Sequence, residues 1–368
     1  MTYEFTVDQV PDARLKPLFT DTKTLGFGTK FTDHMFTAKF SDGQWHDLRI
    51  GPYQNFSFDP ATMVFHYGQE IFEGMKAYVG PNDGSIRLFR PDRNCWRMNN
   101  SAKRMCMPQI PDDLMEQAIS DLVLLDQRWI PQDPGTALYI RPAMIGTAPM
   151  LGVKASSSYL FFIILSPVGP YFSGGFAPVP LYVSKKYVRA VAGGVGEAKT
   201  GGNYAASLLA GEEARKKGCS QVLWLDGKEH RYVEEVGAMN IFFVFEGKKL
   251  VTPALNGSIL PGVTRASVVE LSRHLGYECE ERAIAIDEVL DGARSGKLTE
   301  AFGAGTAAVI APVGKFVTDA ESLEVGGNQV GPVARQMYDQ LTGIQLGTVE
   351  DTFGWVKIIG QLAPTANA

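Results

Sequence analysis

A lysine lies in a twelve-residue stretch that contains five glycines, and this stretch constrains the local backbone more than any other. The stretch runs from Gly193 to Tyr204, and Lys199 is its only basic residue. Glycine costs conformational entropy and gives nothing to pack, so this density indicates turns with positive φ, close backbone approach or room for a ligand. The sequence therefore predicts a tight loop that presents Lys199 to a ligand. A surface loop with an incidental lysine is the alternative.

Two phosphate-binding patterns fit this stretch incompletely. Gly193, four residues and then Ala198-Lys199-Thr200 approach a P-loop, but Ala198 stands where a glycine is required. A dinucleotide fingerprint counted from Gly194 and Gly196 places Lys199 at the third glycine, so it also fails. A third interpretation is an amine that forms a Schiff base with an aldehyde cofactor. Such an amine needs its pKa, about 10.4 when free, lowered by desolvation or nearby positive charge.

The pattern Gly-Gly-x-Gly-x-x-Lys-x-Gly-Gly-Asn-Tyr closely resembles the lysine segment of branched-chain amino acid aminotransferases, which are fold-type-IV pyridoxal phosphate enzymes. The resemblance continues through His66-Tyr67, Glu235–Asn240, Gly303–Ala308 and Gly354-Trp355. Several ordered motifs in one chain argue against chance agreement. The resemblance implies that Lys199 carries pyridoxal 5'-phosphate.

Bulk properties agree with a globular enzyme. A chain of 368 residues exceeds the usual size of a single hydrophobic core, so two domains are expected. A net charge of −5 argues against nucleic acid or an anionic membrane as the main partner. Residues 1–10 carry charges without an apolar core, so no secretion signal and a cytoplasmic location are expected. The four cysteines and five histidines show no metal-ligand spacing, so no metal site is expected.

The predicted secondary structure is mixed, and the pattern changes near the middle of the chain. Helices are predicted at 92–105, 112–127, 204–217 and 264–275, and strands at 159–165, 179–183, 221–225 and 240–245. A hairpin is predicted over 243–251. The fold class is α+β (mixed α/β). Domain predictions are a smaller N-terminal domain at 1–170, a connector at 171–180, and a larger C-terminal domain at 181–368 that carries Lys199. The resemblance implies a two-domain fold-type-IV architecture with the cofactor in the interdomain cleft.

Pyridoxal phosphate accepts electrons when its ring nitrogen is protonated, which calls for a carboxylate at that atom. Glu235 precedes an apolar strand and matches the carboxylate that has this role in the family. From the residues alone, a solvated charge beside Glu234 is the alternative, and Glu234 itself is expected to be solvated. The resemblance also implies that Tyr204 bonds the phenolic oxygen of the cofactor.

The phosphate of the cofactor needs cations and backbone N–H groups. Arg97 matches the phosphate-binding arginine of the family, although its segment also contains Arg90 and Arg93. Val263 and Thr264 follow Pro261-Gly262 at a predicted helix start, which is a suitable anion site. Thr306 is the third candidate for the phosphate.

Substrate recognition is assigned to aromatic side chains and one arginine. Tyr139 and Arg141 are two residues apart in a predicted strand, which places them on one face. Tyr67, Phe72 and Tyr171 match other pocket residues of the family, and ordinary core packing is the alternative for each aromatic. The backbone N–H of Ala307 is the candidate for the substrate carboxylate.

The resemblance implies ping-pong transamination between leucine, isoleucine or valine and 2-oxoglutarate, giving branched 2-oxo acids and L-glutamate. A D-amino-acid aminotransferase, an aminodeoxychorismate lyase and a nucleotide-binding module that uses Lys199-Thr200 are the alternatives. A homodimer is expected, in which Met150, Leu151 and Val153 cover part of the pocket of the partner subunit. Packing of this apolar loop within its own domain is the alternative.

Overall fold

The computed structural model describes residues 2–169, 175–246 and 249–363. In chain order its strands are β1 Thr6–Val7, β2 His34–Ser41, β3 Gln44–Pro52, β4 Glu70–Phe72, β5 Met75–Val79, β6 Ser85–Phe89, β7 Ala137–Gly146, β8 Tyr159–Val168, β9 Val179–Val183, β10 Gln221–Leu225, β11 Val233–Val236, β12 Met239–Phe245, β13 Lys249–Thr252, β14 Glu278–Glu281, β15 Leu298–Gly305, β16 Val309–Val317, β17 Ser322–Glu324 and β18 Val356–Gln361. Its helices are α1 Met63–Tyr67, α2 Pro91–Arg104, α3 Asp112–Leu125, α4 Gly201–Ala205, α5 Leu208–Lys216, α6 Val263–His274, α7 Ile286–Ser295 and α8 Pro332–Leu346.

The described chain forms two compact units. The first comprises residues 2–169, 198–201 and 343–363, and the second comprises 175–197, 202–246 and 249–342. This division differs from the predicted domains in two places. The C-terminal strand β18 pairs with β6 of the first unit, and residues 198–201 are hydrogen bonded to β4. Lys199 therefore belongs to the first unit, although the sequence placed it in a C-terminal domain.

The first unit is built on one mainly antiparallel sheet. Within the described residues, its order is β1-β3-β2-β8-β7-β5-β6-β18, and β4 pairs with β7. Helices α2 and α3 bury their apolar faces in the same core as the central strands. The buried side chains that form this core include Cys95, Met98, Leu114, Ile119, Leu122, Phe36, Ile86 and Phe161. The core fixes α2, and α2 then positions Arg97.

Among the described residues, six strands of the second unit form a closed ring, and β13, β14 and β17 lie outside it. The order is β11-β10-β9-β16-β15-β12-β13-β14, and β11 also pairs with β12. Strand β11 pairs with β10 on one edge and with β12 on the other, and all four of its residues are buried. The core of this unit includes Leu181, Leu223, Val236, Phe243, Ala311 and Phe316.

Most predicted elements are confirmed, with two corrections. The predicted helix over 204–217 is divided into α4 and α5, because Ser207 Oγ donates to the backbone carbonyl of Tyr204 (2.6 Å) and competes with the helical bonds. Strand β8 continues through Ser166 and Pro167 instead of ending there. The pairing of β8 with β2 stops at Ile164. Pro167 has no backbone N–H, and none is needed at this position on the β2 edge of β8.

The α+β class predicted for the chain is present in both units. Among residues 2–169, 175–246 and 249–363, no helix is both long and apolar enough to cross a membrane. The same residues contain no cluster of three or more histidine, cysteine, aspartate or glutamate side chains that could hold a metal ion.

Candidate active site

The backbone of Lys199 is fixed on both sides. Its carbonyl accepts the N–H of Phe72 in β4 (2.9 Å), and its own N–H donates to Ser101 Oγ of α2 (2.9 Å). The next residue, Thr200, donates its hydroxyl to the backbone carbonyl of Glu70 (2.7 Å). The side chain of Lys199 is only partly buried, and its Nζ lies 5.0 Å from the centroid of the Phe72 ring. The amine is thus carried by a rigid segment.

The glycines of the lysine stretch allow the close approach that the sequence predicts. A β-carbon at Gly201 would overlap Glu70 Oε1, and one at Gly196 would overlap the carbonyl oxygen of Ser258. Gly193 adopts φ +81°, a conformation that favours glycine. Three of the five glycines therefore have a structural reason for their lack of a side chain.

Arg97 lies on the buried face of α2 and pairs with Glu73. Its Nε donates to Glu73 Oε1 (2.7 Å) and its Nη2 to Oε2 (2.9 Å). Asn94, one helical turn earlier, donates Nδ2 to the same Oε2 (2.7 Å). The side chain of Glu73 is 0% exposed and that of Arg97 is 4% exposed. The two-point contact fixes the plane of the guanidinium group.

The electrostatic balance at Glu73 involves the lysine as well. Burial alone would raise the pKa of the Glu73 carboxyl, but Arg97, Lys199 and Asn94 together outweigh it and hold the pKa below its usual value. Arg97 and Lys199 therefore act on one buried carboxylate. The structure brings these two predicted residues together, since α2 carries Arg97 and also Ser101, which binds the backbone of Lys199.

Replacing Glu73 with alanine is expected to destabilise the protein by about 3–5 kcal/mol, because Arg97 would stay buried without its counter-charge. Glu116→Ala is the matched control, since the ion pair of Glu116 with Lys357 is partly exposed and its loss should cost at most about 1 kcal/mol. Chemical denaturation at pH 7 measures both changes. Equal losses in the two variants would contradict a special role for the buried pair.

The Glu73 pair also predicts a direction for acid destabilisation. Because the folded-state pKa lies below the usual 4.5, the stabilisation is complete above that value and is lost as the pH falls through the lower folded-state pKa. Denaturation followed between pH 6 and pH 2 should show wild type approaching Glu73→Gln at the acid end, since both then carry a neutral side chain.

Tyr139 and Arg141 lie on one face of β7, as their spacing predicts. Arg141 Nη2 donates to Tyr139 Oη (2.9 Å), and its guanidinium carbon lies 4.7 Å from the Phe72 ring centroid and 5.2 Å from that of Tyr139. Arg141 Nε is buried and has no hydrogen-bond partner within the described residues. The structure thus groups Phe72, Tyr139, Arg141 and Lys199, and this group offers a cation between aromatic rings beside an amine.

Tyr67 is the last residue of α1 and is 40% exposed. Its hydroxyl donates to the carbonyl of Leu151, in the loop that joins β7 and β8. Leu151 is 62% exposed and Val153 is 85% exposed, whereas Met150 is partly buried. Tyr67 is therefore associated with the apolar loop for which the sequence predicts a contact with a second subunit. Tyr171 lies outside the described residues.

Glu235 is a buried carboxylate with several partners in the second unit. Its Oε1 accepts the backbone N–H of Leu260 (2.9 Å) and lies 3.5 Å from Asn240 Nδ2. Its Oε2 is 2.8 Å from Arg189 Nε, an ion pair whose hydrogen-bond angle is poor. Both side chains of this pair are less than one-tenth exposed. The expectation that Glu235 is more than a solvated charge agrees with this burial.

Glu234 is also buried, so the expectation that it is solvated is wrong. It is 3% exposed, and the segment that contains Asn256 and Ser258 packs against its carboxylate. Its Oε1 accepts hydrogen bonds from Asn256 Nδ2 (3.1 Å) and from Ser258 Oγ.

The predicted anion-binding groups of the second unit lie close to Glu235. Asn240 is opposite Glu235 in the β11–β12 ladder, and its amide Nδ2 donates to the carbonyl of Leu260 (3.0 Å). A β-carbon at Gly262 would overlap Asn240 Oδ1, so α6 begins immediately beside this side chain. Val263 begins the helix, and no side chain within the described residues caps it. The first N–H groups of α6 therefore suit an anion.

Thr306 and Ala307 occupy the turn between β15 and β16. Asn240 pairs with Ala304 in β15, so this turn follows the strand that adjoins β12. The structure thus brings Glu235, Val263, Thr264, Thr306 and Ala307 to neighbouring positions of the second unit. Tyr204 lies half-buried in α4, where its carbonyl accepts the hydroxyl of Ser207.

Four residues of these sites were not predicted from the sequence. They are Glu73, which balances Arg97; Ser101, which binds the backbone of Lys199; Arg189, which pairs with Glu235; and Asn240, which contacts Gly262. Asn240 was part of a recognised motif but had no assigned role. Glu73 had a signal as well, since a charged residue stands between apolar neighbours in Phe72-Glu73-Gly74-Met75. Arg189 has no local signal.

Each unit offers groups that fit part of pyridoxal phosphate on chemical grounds. In the second unit, a buried carboxylate suits a protonated pyridine nitrogen and an uncapped helix start suits a phosphate. In the first unit, a buried arginine suits a phosphate and a backbone-fixed lysine suits the aldehyde. A nucleotide phosphate cradle fits less well, because Thr200 uses its hydroxyl on the carbonyl of Glu70.

Comparison with known proteins points to the same chemistry. The family described as "Amino-transferase class IV" matches residues 70–316. The branched-chain-amino-acid aminotransferase 2 of Bacillus subtilis (strain 168) is 52% identical over 343 residues, which cover 93% of this chain and 94% of that protein.

Two solved structures are similar over most of the chain. The branched-chain amino acid aminotransferase of Escherichia coli has a TM-score of 0.72 and 28% identity, covering 89% of this chain and 99% of that one. A second branched-chain amino acid aminotransferase, from the source abbreviated T.th., was solved in complex with N-(5'-phosphopyridoxyl)-L-glutamate. It has a TM-score of 0.70 and 26% identity, covering 89% of this chain and 98% of that one.

Proposed function

We propose that this chain, which belongs to the class IV aminotransferase family, transfers amino groups between branched-chain L-amino acids and 2-oxoglutarate with pyridoxal 5'-phosphate as its cofactor. The resemblance stated from the sequence is confirmed, and with it the fold-type-IV α+β architecture. The protein is an aminotransferase, and its similarity to branched-chain enzymes extends over more than nine-tenths of its length, 93% in the first comparison.

The observation that carries the proposal is the setting of Lys199. Both of its backbone polar groups are engaged, by Phe72 and Ser101, while its side chain stays partly exposed beside an aromatic ring. A lysine that must hold a cofactor, release it and move protons needs a fixed backbone and an accessible amine. The similar T.th. enzyme was solved with a phosphopyridoxyl-glutamate compound, which supports both the cofactor and glutamate as a partner substrate.

Bound pyridoxal phosphate supplies an aldehyde that condenses with amino groups and a ring that accepts electrons released at the substrate Cα. Lys199 holds the cofactor between turnovers and then moves the proton to and from that carbon. Glu235 keeps a proton on the ring nitrogen. Arg97, Thr306 and the first N–H groups of α6, at Val263 and Thr264, bind the phosphate.

The remaining assignments concern the substrate and the ring oxygen. Tyr204 bonds the phenolic oxygen of the cofactor. Arg141 and Tyr139, with the N–H of Ala307, bind carboxylates, and Phe72 gives an apolar surface to an aliphatic side chain. One methylene in such surroundings is worth about 1–3 kcal/mol, so leucine, isoleucine and valine should be accepted with similar efficiency.

A stereospecific assay tests the proposed function. Purified protein with 2-oxoglutarate should form L-glutamate when L-leucine, L-isoleucine or L-valine is the amino donor. With D-leucine as the donor it should form no L-glutamate. Turnover of D-leucine alone would favour a D-amino-acid aminotransferase, and inactivity with both would favour a lyase of the same fold. Magnesium-dependent ATP binding without a cofactor spectrum would favour a nucleotide-binding module. The cytoplasmic location stays a prediction.

The exposed loop after β7 supports a homodimer as part of the proposal. Leu151→Asp should weaken self-association by about 2 kcal/mol or more, because a charge would replace an apolar side chain in the expected interface, and activity should fall with it. Leu18→Asp is the control, since Leu18 is an exposed apolar residue outside this loop. Sedimentation at micromolar concentration measures both. A fully active wild-type monomer would contradict the hypothesis that this loop covers part of the pocket of a partner subunit.

A further inference from the structure

Glu234 holds a short segment of the second unit in place. Its Oε1 accepts hydrogen bonds from Asn256 Nδ2 (3.1 Å) and Ser258 Oγ, and Ser258 is fully buried. Its Oε2 is buried and has no hydrogen-bond partner in the described parts of the chain. Burying a carboxylate away from water costs free energy. The presence of Glu234 at this position therefore indicates that the segment it holds has a role.

That segment carries two backbone groups that act on Glu235. The carbonyl of Ser258 accepts a hydrogen bond from Arg189 Nη2, while Arg189 Nε lies 2.8 Å from Glu235 Oε2. The N–H of Leu260 donates to Glu235 Oε1 (2.9 Å). Ser258 therefore links the two carboxylates, since its hydroxyl is bound by Glu234 and its carbonyl by the arginine that balances Glu235.

Further contacts restrict the backbone of the segment that contains Ser258. The backbone N–H of Ser258 donates to Asn256 Oδ1 (3.0 Å), which closes a tight local turn. A β-carbon at Gly196 would overlap the carbonyl oxygen of Ser258, so the lysine stretch packs directly against it. Arg189 Nη2 also donates to the carbonyl of Gly196 (3.3 Å). The positions of Ser258 and Arg189 are thus set together.

We infer that Glu234 is a positioning residue for Glu235, acting through Ser258 and Arg189. The inference rests on the proposed function, in which Glu235 keeps a proton on the ring nitrogen of the cofactor. Glu234 fixes the carbonyl of Ser258, this carbonyl fixes one end of Arg189, and the other end of Arg189 sets the charge balance at Glu235. Loss of the anchor changes that balance while every group assigned to touch cofactor or substrate remains.

Four variants test this inference, namely Glu234→Ala, Glu234→Gln, Ser258→Ala and the Glu234→Ala/Ser258→Ala double variant. Glu234→Ala should lower kcat about 10-fold, as loss of a supporting partner of an active-site group commonly does. The KM for L-leucine should change little. The pH at which the visible absorption of bound cofactor changes should shift, and this readout does not depend on turnover. Glu234→Gln keeps an acceptor oxygen and should retain activity and spectrum near wild type.

The double variant and a matched control separate positioning from general destabilisation. If Glu234 acts through the serine hydroxyl, Ser258→Ala should show the same shift, and the double variant should be no worse than Glu234→Ala. Ser272→Ala removes a buried hydroxyl of this unit that bonds the carbonyl of Val269 (3.0 Å) and Cys279, and it should keep the wild-type spectrum.

Several results would overturn the inference while leaving the proposed function intact. They are a Glu234→Ala protein with wild-type kcat and spectrum, additive effects in the double variant, or an equal loss in Glu234→Gln. If Glu234→Ala fails to fold, Ser258→Ala decides: an altered spectral midpoint supports the inference and an unaltered one overturns it. Failure of the proposed function is distinct, since wild type itself would then bind no cofactor or would not transaminate.

Discussion

Lys199→Ala is expected to lower kcat for L-leucine by about 10⁴-fold, because the variant loses the group that moves the proton at the substrate Cα. The fold should survive, since the residue is held through its backbone carbonyl and N–H, which alanine keeps. Steady-state assays with saturating cofactor measure the loss, and thermal unfolding shows that the protein is intact.

Lys186→Ala is the matched control for this change. Lys186 belongs to an exposed ion pair with Glu213, so its removal should leave activity near wild type. Addition of a small primary amine should restore part of the activity of Lys199→Ala, because the amine can take over proton transfer. A Lys199→Ala protein with near-normal turnover would require another catalytic lysine.

Glu235→Gln is expected to lower kcat by about 10²–10³-fold, a typical effect of removing one preorganised electrostatic partner of the transition state. A neutral amide cannot keep the ring nitrogen protonated. Cofactor should stay bound, because the phosphate contacts proposed for Arg97 and Thr264 are unchanged. Activity assays and the absorption spectrum of the purified variant test the two expectations separately.

Glu278→Gln gives a surface control in the same unit, since Glu278 is exposed in β14. The unfolding temperature of Glu235→Gln should fall as well, because Arg189 loses the charge that balances it in a buried position. Near-normal turnover in Glu235→Gln would contradict the role of Glu235 in keeping the ring nitrogen protonated. Loss of the cofactor with an unchanged unfolding temperature would show that Glu235 contributes only to cofactor binding.

Local sequence signals predicted those features that depend on local physics. The glycines around Lys199 indicated close backbone approach, and Gly196 and Gly201 have neighbours that a β-carbon would overlap. Pro261-Gly262 indicated a helix start, and α6 begins at Val263. The spacing of Tyr139 and Arg141 placed them on one face of a strand, where their side chains are hydrogen bonded.

Features that depend on distant pairing were not accessible in the same way. Glu234 is buried against Asn256 and Ser258, which lie 22 and 24 positions further along the chain and which two adjacent glutamates do not indicate. The partners Glu73 and Arg97 come from different elements, as do Arg189 and Glu235. The return of β18 to the first sheet is likewise set by its pairing with β6, and a division of the chain by sequence position misses it.

The most direct test of the account is to find which side chain carries the cofactor. Reduction of the yellow holoenzyme with borohydride, followed by peptide mass spectrometry, should place the phosphopyridoxyl group on Lys199. Lys76 is the informative competitor, because burial lowers its pKa to about 8 and makes it a good amine near neutral pH. L-leucine added before reduction should remove the visible band and prevent the labelling of Lys199. A label on Lys76 or any other lysine, or a colourless protein that takes up no pyridoxal phosphate, would contradict the account.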